Sequence, residues 1–343
     1  MYFRISGVGG YLPEHEISNR QVALSAGVSA EWIHERTGIL TRRRAAAEQA
    51  TSDLAAQAAR RALASARLEP EQLGLIVSAT SLPDELGPSV ACRVQALLGA
   101  GNAVAMDVGA ACTGFLYALE VARCWLGSGH GDRPALVVGA EVYSRFVDPA
   151  DRATAALFAD GAGAVVLTPD ALGPGLGPAR LGSDGRGAGL VGVFSGGTRR
   201  PASQETVAAS EHTIRMDGKA IRDFTLRMLP TMVRECLDEN GLRSDDIALV
   251  VAHQPNPVLL TKAAERAGIP AERLLLTGDR VGNIGAGSVP FGLAHAANTG
   301  RLNRGDRVLL MAFGAGMTWG HALLTWSGTE QERTQDHHRK AAV

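Results

Sequence analysis

The sequence predicts a duplicated α/β fold, two related halves packed about a pseudo-twofold axis, on three observations. An acidic turn feeding an apolar strand occurs twice, as Leu68-Glu-Pro-Glu-Gln-Leu-Gly-Leu-Ile-Val-Ser-Ala and as Leu242-Arg-Ser-Asp-Asp-Ile-Ala-Leu-Val-Val-Ala-His. Each copy follows a long helical pattern. Further on, Gly131-Asp-Arg-Pro-Ala-Leu-Val-Val-Gly-Ala is matched by Gly305-Asp-Arg-Val-Leu-Leu-Met-Ala-Phe-Gly, with order and spacing kept. The 343 residues suffice for two domains or for one duplicated fold with a substantial core. The Gly- and Pro-rich stretch from Pro169 to Pro178 is the natural joint. The expected organisation is residues 1–170, residues 171–326, and a polar, disordered tail over 327–343.

Taken in order, the chain opens with a short strand and the turn Gly7-Val-Gly-Gly-Tyr-Leu-Pro. Ala30 to Ile39 reads as a short helix ended by Gly38, with Trp32 and Arg36 on one face. Thr51 to Leu68 is an amphipathic helix with Leu54, Ala58 and Ala62 on its stripe, and Leu75 to Ala79 is a strand. Ala103 to Val108 reads as a buried strand, Gly109-Ala-Ala as a tight bend, and Phe115 to Leu126 as a largely buried helix. The loop from Arg145 to Asp160 returns through Asp-Gly-Ala-Gly-Ala-Val-Val-Leu as a glycine-rich hairpin. No Gly-x-Gly-x-x-Gly opens a helix there, so turn chemistry explains its glycines better than a dinucleotide site.

Composition excludes several classes. The formal net charge of −1, with both signs mixed along the chain, gives no reason to expect nucleic acid or an anionic membrane as partner. Only Lys219, Lys262 and Lys340 interrupt an otherwise all-arginine basic set, a codon bias of a GC-rich genome. No secretory signal and no membrane-length apolar run is visible, and four unpaired cysteines point to free thiols in a reducing, cytoplasmic setting. Cys92, Cys124 and Cys236 read as packing residues on helices. His337-His338 reads as solvated tail in preference to a metal site, and no metal or cofactor is expected.

Cys112 differs by its turn. It stands between a strand and a helix N-terminus, where unpaired N–H groups and the helix dipole favour thiolate over thiol. The residues alone leave two readings open, a small buried hydrophobe and a nucleophile. In the internal alignment Ala79 corresponds to His253, and the Cys112 turn to Val281-Gly-Asn-Ile-Gly-Ala-Gly-Ser-Val-Pro. Strand-end loops of the two halves would then bring Cys112 to His253 and Asn283. Alone, His253 could be a satisfied core histidine and Asn283 a turn residue.

The set Asp107-Val-Gly-Ala-Ala-Cys-Thr-Gly-Phe, His253-Gln-Pro-Asn, Gly282-Asn-Ile-Gly-Ala-Gly-Ser-Val-Pro and Phe313-Gly-Ala-Gly-Met-Thr-Trp-Gly closely resembles the beta-ketoacyl-ACP synthase III family, over essentially the whole chain to Trp326. The resemblance implies the thiolase fold, a duplicated αβαβα layered core, in a homodimer. It implies a ketosynthase, an acyltransferase that loads an acyl group from an acyl-CoA onto Cys112 and condenses it with malonyl-acyl carrier protein. His253 and Asn283 would donate to the enolate oxygen, and the backbone N–H groups of Cys112 and Ala315 would form the oxyanion hole, where one lost donor typically costs about 3 to 4 kcal/mol. Trp32, Arg36 and Arg152 would hold CoA, and Asn256 its pantetheine arm.

Departures from the family pattern bear on substrates. Gly87 stands ahead of Pro88-Ser89, where members restricted to acetyl starters carry a bulky aromatic reaching into the partner subunit's acyl pocket; this implies a starter larger than acetyl. Val258, Asp223 and Glu265 fall where positive carrier-docking residues are common, with Arg222, Arg227 and Arg266 nearby. Fatty-acid initiation and polyketide priming both fit. The alternative is an acyltransferase that moves the group to a carrier protein, an alcohol or an amine.

Overall fold

The computed structural model describes residues 2–129, 132–170, 173 and 175–334. The first sheet has the order Tyr2–Tyr11, Asp160–Asp170, Ala135–Val142, Leu75–Ala79, Val104–Asp107. Its first three strands pair antiparallel and the last two join in parallel. The second sheet repeats this plan as Arg180–Ser183, Thr318–Thr325, Arg307–Gly314, Leu249–Ala252, extended by a parallel bridge from Val250 to Leu274. The repeated turn-and-strand segments of the sequence occupy equivalent places, each a 3-10 turn entering a buried parallel strand.

Period-2 alternation explains the layering. In Leu75–Ala79, Leu75 and Val77 face the central core while Ile76 faces the outer one. The central core holds the helices Gly114–Gly127 and Ser288–Asn298 between the sheets, through Phe115, Leu116, Leu119, Val289 and Leu293. Thr51–Ala66 and Val90–Leu98 cover the outer face of the first sheet, and Gly218–Asn240 and Pro257–Arg266 that of the second. The result is the αβαβα sandwich.

Two glycines set how the halves meet. A Cβ on Gly139 would strike the backbone carbonyl of Ala286, and one on Gly163 the backbone N–H of Phe291. The turn and helix of the second half thus lie directly on the backbone of the first half's sheet.

The helices read from sequence agree to within about two residues, including Ala30–Thr37 with Gly38 as its left-handed cap. Four readings need correction. The opening strand runs on from Tyr2 to Tyr11, so Gly7 to Tyr11 is strand where the sequence predicts a turn. Val104–Asp107 is a sheet-edge strand with no fully buried residue, not a buried strand. Cys92 and Cys124 are helical but exposed, and only Cys236 is buried; an apolar run does not by itself say which face of a helix is covered. The tail expected to be disordered is ordered where it begins. Residues 330–334 are helical, Thr329 is buried and Glu330 pairs with Arg4. His337-His338 and the rest of the tail, like Gly131 and part of the Pro169–Pro178 joint, lie outside the described residues. Among those described, no helix is long and apolar enough to cross a membrane.

Candidate active site

A cleft of about 1170 Å³ runs in from the surface and ends at Cys112, lined by both halves. The nucleophile turn is a 3-10 segment, Ala111–Thr113, at the start of the central helix Gly114–Gly127. Ala111 adopts a left-handed φ of 47°, a conformation costly for a residue with a side chain. From the other half Gly314 comes against this turn, and a Cβ on it would lie 2.8 Å from the Cys112 backbone nitrogen. Only glycine lets the Gly314–Ala315 segment approach the Cys112 amide, and Ala315 lines the cleft beside it.

His253 follows the strand Leu249–Ala252, and its backbone N–H continues the sheet by donating to Met311. The ring is 2% exposed, packs edge-on against Phe313 and places Nδ1 3.3 Å from Ser288 Oγ. Burial pulls its pKa from 6.5 down to about 3, while a backbone hydrogen bond to Gly285 acts the other way. The imidazole is neutral.

Asn283 is buried and fixed at three points. Its backbone N–H donates to Leu157, its carbonyl accepts from Ala159, and its Oδ1 accepts from Gly285 N–H at 2.9 Å. That last bond assigns the amide orientation and leaves Nδ2 as a donor toward the cleft. Both side chains line the same cleft as Cys112, as the internal alignment predicts.

The expected thiolate is not what the surroundings favour. Burial and the nearby Glu141 carboxylate push the Cys112 thiol up to about 12, against the helpful hydrogen bonds of Tyr143 and the local backbone. Desolvation of a charged sulfur outweighs the helix N-terminus. Sequence reasoning also missed the residues around it. Tyr143 Oη lies 3.8 Å from Cys112 Sγ and 3.2 Å from Ser81 Oγ, which donates to Glu141 Oε1 at 3.0 Å. An acid inside the fully buried strand Ala135–Val142 was the available signal.

At the mouth, the Trp32 indole carries the guanidiniums of Arg36 and Arg152 at 5.7 and 5.6 Å from its centroid. Arg222, Arg227, Lys262 and Arg266 line the rim. Asn256 lines the cleft too, but its side chain caps the helix Pro257–Arg266 by accepting from Leu259 N–H at 3.0 Å and donates to the Arg36 carbonyl at 3.2 Å. Gly87 is absent from the lining of this cleft, and a Cβ there would meet nothing within 4 Å.

The chain is similar to known proteins over nearly its whole length. Residues 106–185 match the family profile for 3-oxoacyl-[acyl-carrier-protein (ACP)] synthase III, and residues 237–326 the profile for its C-terminal part. The beta-ketoacyl-[acyl-carrier-protein] synthase III of Syntrophomonas wolfei is 44% identical over 97% of this chain and 99% of its own. The 3-oxoacyl-(acyl carrier protein) synthase III of Pseudomonas aeruginosa superposes with a TM-score of 0.88 at 38% identity, over 96% of this chain and 99% of that one. The priming beta-ketosynthase of the R1128 polyketide pathway superposes at 0.87 with 32% identity, over 95% and 97%.

Proposed function

This chain belongs to the 3-oxoacyl-[acyl-carrier-protein] synthase III family, and we propose that it loads an acyl group from a CoA thioester onto Cys112 and condenses it with malonyl-acyl carrier protein. The observation that carries the reading is the convergence of a thiol, a neutral imidazole and a primary amide on one cleft. Loss of carbon dioxide from malonate leaves an enolate whose oxygen bears the new charge. Nδ2 of Asn283 and Nε2 of His253, with Nδ1 turned to Ser288, stabilise that oxygen as preorganised donors. A cationic histidine is unnecessary. The enolate carbon attacks the acyl-Cys112 carbonyl, whose oxyanion is held by the N–H groups of Cys112 and Ala315.

CoA meets the Trp32 indole with its adenine and the guanidiniums of Arg36 and Arg152 with its phosphates, and the basic rim receives the acidic carrier. Asn256 meets the pantetheine with its remaining N–H. The enzyme works in the cytoplasm without metal or redox cofactor. It acts as a homodimer, supported by the sheet edge at Val104–Asp107, which no further described strand pairs and where Val104 is 45% exposed, and by exposed Leu97 on the helix packed against that strand. The starter is larger than acetyl: medium-chain, branched or cyclic. Gly87→Phe is expected to narrow the acyl-CoA profile, and an unchanged profile refutes a role for Gly87 in starter size.

Intact-protein mass spectrometry after incubation with a panel of acyl-CoAs, followed by a malonyl-carrier chase, tests the main reading. The mass added to Cys112 identifies the starter, and release as a beta-ketoacyl carrier two carbons longer establishes condensation. A label that persists until an alcohol or amine is supplied makes the protein an acyltransferase. Label on a Cys112→Ala variant refutes the covalent route.

A further inference from the structure

We infer that Tyr143, Ser81 and Glu141 form a proton relay for Cys112, taking the thiol proton when the acyl group is loaded and returning it when the sulfur is expelled. The inference rests on the loading chemistry above and assigns residues to the step that chemistry leaves without a base. His253 and Asn283 are committed to the malonyl side. A neutral thiol needs a proton acceptor as it attacks.

The chain of contacts is unbroken: Cys112 Sγ to Tyr143 Oη at 3.8 Å, Tyr143 Oη to Ser81 Oγ at 3.2 Å, and Ser81 Oγ to Glu141 Oε1 at 3.0 Å. Each link is fixed independently. The Tyr143 ring packs on Phe158 with centroids 4.8 Å apart. The Ser81 N–H also donates to the carboxylate, at 3.0 and 3.1 Å, as does Thr80 Oγ1 at 3.1 Å. Gly285 closes the space above, since a Cβ there would meet Tyr143 Oη and the Glu141 side chain. Glu141 is fully buried, and the titratable groups facing it are the Cys112 thiol and the Tyr143 phenol, with neutral His253 beyond Gly285. Among the described residues no arginine or lysine pairs with that buried carboxylate, a costly placement that a merely structural acceptor could avoid. That burial raises its pKa to about 7, so carboxylate and acid are both accessible near neutrality.

The steps balance. On loading, sulfur attacks the thioester carbonyl as its proton moves to Tyr143, the Tyr143 proton to Ser81 and the Ser81 proton to Glu141. The bond from carbonyl to CoA sulfur breaks, and CoA leaves as thiolate to be protonated by solvent. On condensation the enolate carbon bonds to the acyl carbonyl, the carbonyl–Cys112 bond breaks, and the proton returns along the same path to the sulfur.

The test is single-turnover loading by rapid-quench mass spectrometry, using whichever of acetyl-, isobutyryl- and hexanoyl-CoA loads the wild type fastest. Tyr143→Phe, which removes only the hydroxyl, is expected to slow loading about 10²-fold with acyl-CoA affinity unchanged. Wild-type loading should fall as pH drops through about 7, and Glu141→Gln should lose that inflexion. Ser81→Ala should slow loading and Ser81→Thr should restore it. A folded Tyr143→Phe that loads at the wild-type rate, or a wild-type rate flat across neutral pH, overturns the relay while leaving the ketosynthase reading standing. A wild-type protein that takes up no acyl group from the panel overturns both.

Discussion

Replacing His253 with glutamine should change how stability responds to acid. The folded protein holds the ring near 3 where a free histidine titrates at 6.5, because the buried site cannot solvate an imidazolium. The unfolded chain therefore binds a proton that the folded chain refuses. The sign follows: the penalty is absent above 6.5 and grows as pH falls toward about 3. At roughly 1.4 kcal/mol per pH unit the full penalty is about 5 kcal/mol, and about 3 kcal/mol of it is felt by about pH 4. Glu141 works oppositely, since its folded pKa lies above the ordinary 4.5 and it favours the folded state as pH falls from about 7. It is present in both proteins and cancels in their difference. Urea unfolding of wild type and His253→Gln over a pH series reads the effect directly. The difference between the two should be constant above pH 6.5 and shift in the variant's favour below it. Parallel curves would show that the imidazole is not held neutral by burial, and the donor role assigned to it would go with that.

Further substitutions separate the parts of the site. Asn283→Asp keeps the acceptor for Gly285 N–H but replaces the donor with a charge beside the enolate, so condensation should fall by about 10²-fold or more while loading of Cys112 survives; single-turnover loading and chase measure each. Trp32→Ala should raise KM for acyl-CoA about tenfold with kcat kept, since the indole binds ground and transition state alike. Gly314→Ala places a Cβ 2.8 Å from the Cys112 nitrogen and should abolish loading in a protein whose far-UV spectrum is unchanged.

Much of this architecture is written locally. The acidic turns before Leu75 and Leu249 recur because each half needs the same entry into a buried parallel strand, and such patterns survive in one line of text. The meeting of Cys112, His253 and Asn283 follows from that duplication. The thiol's protonation does not, because it depends on Glu141 and on burial, both brought by tertiary packing. The exposure of Cys92 and Cys124 was hidden for a similar reason: which side of a helix meets a neighbour is decided elsewhere in the chain. Ser288 gave no warning at all, being one serine after a run of glycines, and only the fold sets it on His253.

The bare contacts at Gly139 and Gly163 act as a datum surface. Side chains wedged between two parts behave as compliant spacers, able to change rotamer and let the gap drift. Main chain seated on main chain has no such play. The reference edge from which the loops carrying Cys112 and Asn283 are measured is therefore set by atoms common to every residue. Drift in the surrounding sequence can retune the mouth and the acyl pocket while the working clearance stays to tolerance.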